Sequence, residues 1–93
     1  MQLRAFLTVD KGSSHFGCSI RDLSPTGARI RLLRNIELPM IVHLVDIPNK
    51  MAYEAAVAWR RAPLYGLAFT NSYPLTSATT PLFLRKLWYE SAR

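Results

Sequence analysis

A carboxylate, a hydroxyl and a glycine fall close together in Asp22-Leu23-Ser24-Pro25-Thr26-Gly27. An ionised carboxylate only accepts hydrogen bonds, while a serine hydroxyl both donates and accepts. Together Asp22 and Ser24 can read a ligand edge that offers adjacent N–H donors next to an oxygen. Proline presets φ at the second position of a turn, and glycine takes φ > 0 without a Cβ penalty, so the segment predicts a tight turn. The competing reading is that Asp22 and Ser24 serve only the backbone N–H groups of that turn. Elsewhere there is no nucleophile paired with a base, no pair of carboxylates on a plausible cleft and no glycine-rich phosphate loop. The chemistry on offer is recognition, not catalysis.

The runs that must position this turn alternate apolar and polar residues. Phe16 to Leu23 leads into it, with Cys18 and Ile20 on one side, and Ala28, Ile30 and Leu32 alternate with Arg29 and Arg31 beyond it. Both read as half-buried strands. Further strands are predicted at Leu3 to Val9, Met40 to Ile47, Met51 to Ala62 and Leu64 to Thr70, with Ala55, Val57 and Trp59 as the inward set of the fifth. Lys11-Gly12-Ser13-Ser14, with His15 in the same polar loop, Pro48-Asn49 and Pro63 supply the breaks. Six short strands with tight turns predict an all-β, antiparallel barrel spanning about residues 3–70. Residues 71–79, rich in Ser, Thr and Pro, read as a connector. Thr80-Pro81 then predicts an N-cap and first helical position, opening a helix over about 81–91. Its apolar face, Phe83, Leu84, Leu87 and Trp88, is expected to plug an open end of the barrel, with docking to a partner as the alternative. The 93 residues make one domain.

The spacing Asp-x-Ser-x-x-Gly, set in Cys18-Ser-Ile-Arg-Asp-Leu-Ser-Pro-Thr-Gly-Ala-Arg-Ile30, resembles the second signature of the PilZ domain family. Val57-Ala-Trp59-Arg60-Arg61 and Tyr65-Gly66-Leu67-Ala68-Phe69 are similar to the paired strands that close the PilZ barrel, so the likeness covers about three quarters of the chain. The resemblance implies a six-stranded PilZ-type barrel with a C-terminal helix, and a receptor for the bacterial second messenger cyclic di-GMP. It implies that Asp22 accepts from guanine N–H donors, Ser24 bonds a neighbouring oxygen and Gly27 sets the turn. The family's other signature, an Arg-x-x-x-Arg segment ahead of the first strand, is absent: Arg4 precedes Arg21 alone and lies inside a strand pattern. A hydrogen bond to a charged partner contributes roughly 1.5 to 3 kcal/mol, so two missing arginines weaken binding by about two to four orders of magnitude. Residues upstream of Met1, or cations from Arg21, Arg60, Arg61 or a partner chain, would have to replace them. Without replacement the resemblance implies a ligand-independent adaptor acting through protein contacts, the helix face among them.

A net charge of +6 and a pI near 10.1 favour anionic partners. Nonspecific nucleic-acid binding is the least favoured of these, because Tyr53, Trp59, Tyr65 and Phe69 are mostly expected in the core. The single Cys18 shares its face with Ile20 and reads as a small buried hydrophobe. His15 and His43 have no companions at metal-ligand spacing, so no metal site is expected. Residues 1–10 hold no signal-peptide core, and the most apolar stretch, Leu38 to Ile47, falls short of the ~18 residues of a spanning helix. A soluble, cytoplasmic protein is expected.

Overall fold

The computed structural model describes residues 3–78 and 80–91, without the side chains of Lys11, Leu87, Trp88, Glu90 and Ser91. Strands β1 (Leu3–Val9), β2 (Ser14–Leu23), β3 (Gly27–Leu32), β4 (Ile41–Asp46), β5 (Met51–Arg61) and β6 (Leu64–Pro74) are followed by one helix, α1 (Leu82–Ser91). The six strands close into an antiparallel barrel in the order β1-β2-β3-β6-β5-β4, and β4 pairs back onto β1. Among the described residues closure leaves no unpaired sheet edge. The barrel is the one that the strand patterning predicts, and the helix is the one expected after Thr80-Pro81.

Alternation explains why these strands close. Ala5, Leu7, Cys18, Ile20, Ile30, Leu32, Val42 and Leu44 all point inward and are buried. Burying a side chain of the Val, Leu or Ile kind contributes about 1.5–3 kcal/mol, enough for the shared interior to select this register. Tyr53 and Phe69 stack at 4.1 Å against the same interior. Polar ends are satisfied locally. The buried Asp46 carboxylate accepts from the backbone N–H and side-chain amide of Asn49, the latter at 2.7 Å, which closes the turn after β4.

Three expectations change. His15, expected in a loop, lies in β2 with its ring edge-on to Phe6. β6 runs through Asn71 to Pro74, part of the expected connector, because the long β5 offers Met51 to Glu54 as partners there. The polar residues of this stretch suit the solvent side of a ladder as well as they suit a loop. Finally, α1 lies against the outer wall instead of filling an open end. Val42 and Leu44 face inward, so alternation turns His43 and Val45 outward, and Val45 is nevertheless fully buried. It forms a second cluster with Ala52, Leu75 and Leu84, to which Phe6, Ile47, Tyr73 and Phe83 add their surfaces. Thr80, at the entry to the helix, is buried and donates its hydroxyl to the Pro74 carbonyl. The side chains of Leu87 and Trp88, expected on the apolar face, lie outside the described ones. Among the described residues no helix is long and apolar enough to cross a membrane.

Candidate ligand-binding face

Plain alternation along β2 would send Asp22 into the barrel, on the same side as Cys18 and Ile20. A register shift between Ile20 and Asp22 prevents this. Arg21 becomes the extra residue of a β-bulge, and Asp22 pairs with Arg29 on the outside. β5 repeats the device. Ala55 and Val57 point inward, but a shift between Val57 and Trp59 makes Ala58 the extra residue, and Trp59 pairs with Gly66 on the outside. The expected inward position of Trp59 is therefore wrong, and its side chain is 43% exposed.

The two bulges place Asp22 of β2, Arg29 of β3, Gly66 of β6 and Trp59 of β5 on one row across the outer wall. Gly66 is the low point of that row. A Cβ there would collide with the indole Nε1 of Trp59, so the ring lies against bare backbone. These four residues, with Ser24, Gly27 and their neighbours, line an open cleft of about 270 Å³.

Asp22 Oδ2 lies 2.6 Å from Arg29 Nη2, and the two side chains are 64% and 47% exposed. A pair this exposed contributes only about 0–1 kcal/mol to stability, so its effect is to orient the carboxylate along the row. Ser24 is turned towards its own loop. Its Oγ accepts from the N–H groups of Gly27 and Thr26 at 3.2 and 3.3 Å, while the Ser24 N–H donates to the Gly27 carbonyl at 2.9 Å. Gly27 serves a purpose that the turn chemistry does not suggest. Its φ is not positive; a Cβ would instead collide with the Leu67 carbonyl oxygen, so glycine allows β3 to approach β6.

Of the residues singled out from sequence, Asp22, Ser24 and Gly27 come together in the cleft, whereas Arg21 and Arg61 do not line it. Arg21 is held in the bulge of β2. Arg61 borders an adjoining hollow of about 280 Å³ with Trp59 and Arg60. Arg60 is committed elsewhere, since its Nη1 donates to the Leu38 carbonyl at 2.8 Å. Sequence reasoning missed Trp59 as a surface group and gave Arg29 no place beside Asp22. The available signal was Gly66, because a glycine inside a strand marks a close approach by another group. Burial pushes the Cys18 thiol up to about 12, which makes it a neutral core group. Among the described residues no group of His, Cys, Asp and Glu is arranged to hold a metal ion.

The family model for the PilZ domain matches residues 1–80. No curated protein and no solved structure matches the chain. The closed six-stranded barrel, the Asp-x-Ser-x-x-Gly turn at the edge of its outer cleft and the long matched span agree, and the chain belongs to the PilZ domain family, a family of cyclic di-GMP-binding modules.

Proposed function

We propose that this chain is a binding module for cyclic di-GMP in bacterial second-messenger signalling and catalyses no reaction. The observation that carries the reading is the outer row on which a carboxylate, a guanidinium and an indole converge around a glycine floor. A guanine stacked on Trp59 gains about 1–3 kcal/mol and can turn its N–H donors towards Asp22. Arg29 holds that carboxylate in line. Ser24 and Gly27 act by fixing the turn and the approach of β3 to β6. At about 270 Å³ the cleft is smaller than the roughly 300–1,000 Å³ of pockets that enclose a drug-sized ligand, so it takes one base while the rest of the dinucleotide lies over the wall. Residues 1–10 supply no Arg-x-x-x-Arg segment, so binding by this face alone is weak.

Calorimetric titration with cyclic di-GMP to about a millimolar tests this, since that range covers a loss of two to four decades from a tight receptor. Saturable heat is expected for the parent, with Trp59→Ala weakening binding roughly five- to hundredfold. Absence of heat near a millimolar overturns the proposal. A second reading, a ligand-independent adaptor that meets a protein partner through α1, draws support from Leu82, which is 72% exposed on that helix. A strictly monomeric protein that copurifies with no partner would count against it.

A further inference from the structure

We infer that the phosphates of the bound dinucleotide are held by Arg31 and Arg61, one register step along β6 from the base cleft. The inference rests on the cyclic di-GMP reading above and names cations that the barrel itself supplies. Arg31 of β3 and Arg61 of β5 both pair with Leu64 of β6. Alternation turns all three outward, because their neighbours Ile30, Leu32 and Tyr65 are buried in the interior. The two arginines therefore flank β6 at two strand spacings, about 10 Å apart at the backbone. Between them β6 presents Leu64 and then Gly66, a low strip with cationic walls on either side.

This strip continues directly from the base site. Trp59 and Arg61 are two residues apart on the same face of β5, as Arg29 and Arg31 are on β3, which is a step of about 7 Å. A base stacked on Trp59 thus places its sugar and phosphate next to Arg61, with Arg31 facing them across β6. Arg29 is engaged with Asp22 and Arg60 with the Leu38 carbonyl, while Arg34 lies beyond Arg31, on the far side from Trp59, and shares a hollow with Arg31. Among the described residues Arg31 and Arg61 form no ion pair and no side-chain hydrogen bond. A dianion whose base is fixed at Trp59 meets two free planar forks suited to phosphate oxygens.

The barrel carries its own control. Arg4 of β1 pairs with Ser19, which pairs with Arg31, so Arg4 sits outward on the same register row but two strands beyond Arg31, away from Trp59. Calorimetric titrations with cyclic di-GMP on the parent, Arg31→Ala, Arg61→Ala and Arg4→Ala, each checked by thermal melting, test the clamp. Each clamp variant is expected to weaken binding about ten- to hundredfold with the melt unchanged, whereas Arg4→Ala stays within about threefold through screened long-range charge alone. Arg31→Lys and Arg61→Lys, which keep charge but lose the fork, are expected between parent and alanine. If the parent binds and the clamp variants bind equally well, or Arg4→Ala is as damaging as they are, the clamp is overturned while the cyclic di-GMP reading stands. If the parent produces no heat, both are overturned.

Discussion

Two outward walls of one barrel meet different fates. Around Val45 and Ala52 the wall is apolar and α1 covers it, burying Leu84 and Leu75 and setting Phe83 edge-on to His43 at 5.1 Å. Around Gly66 the wall carries Asp22, Arg29 and Trp59, and these line an open cleft. Alternation alone generates the first, whereas the second also needs the bulges at Arg21 and Ala58 that turn Asp22 and Trp59 outward. What differs is the exterior set. Where it is apolar, cover is needed and the fold supplies it; where it combines charge with an aromatic surface, solvent is tolerated and a ligand can take the place of cover.

The contrast can be broken most severely on the covered side. Leu84→Ala removes a fully buried side chain from the joint between α1 and the wall, and a loss of about 2–5 kcal/mol is expected in urea unfolding. On the open side the most damaging change is Gly27→Ala, which drives a Cβ into the Leu67 carbonyl and forces β3 away from β6. About 1–3 kcal/mol of destabilisation is expected there, together with altered amide shifts along Arg29 and Gly66 in NMR spectra.

Acid sharpens the comparison. Burial beside Phe83 holds the His43 imidazole below its usual value, despite the opposing charge of Glu54 at 3.6 Å. Hydrogen bonds from Thr70 and Asn71 hold the Glu54 carboxyl low in turn. Both groups bind protons less readily folded than unfolded, so their contribution rises with pH. That of His43 is full above about 6.5 and is lost as pH falls from there through its folded value; that of Glu54 is lost below about 4.5. Urea midpoints measured from pH 7.5 down to 5 should therefore fall for the parent and fall less for His43→Gln. The smallest effect belongs to Asp22→Ala. The exposed pair with Arg29 contributes about 0–1 kcal/mol, so the melt should hardly move while nucleotide binding weakens. A large loss of stability in that variant would mean that Asp22 supports the wall instead of serving it.

The interior was legible because it obeys period two. Cys18, Ile20, Ile30 and Leu32 can be assigned to the core by counting, and the barrel follows from six such strands. The binding face was only half legible. The Asp22 to Gly27 turn announces itself through proline and glycine, but the outward aim of Trp59 depends on one extra residue at Ala58, which counting by twos assigns to the wrong side. The place of α1 was hidden for a different reason. Leu44 and Val45 are consecutive apolar residues, and such a doublet tells of two buried sides without telling what covers the second.

The bulges have a consequence for how this surface can change over time. Removing the single codon for Ala58, or for Arg21, would take out only the extra residue, and plain alternation from Val57 or Ile20 would still turn the tryptophan or the aspartate outward, opposite Gly66 or Arg29. The outer row therefore tolerates strands with or without the extra residue, and is lost only if that residue is paired flat into the ladder, which would turn the aspartate or the tryptophan inward. Relatives with an intact turn motif and a strand one residue shorter at either place would be expected to keep both the cylinder and its outward row.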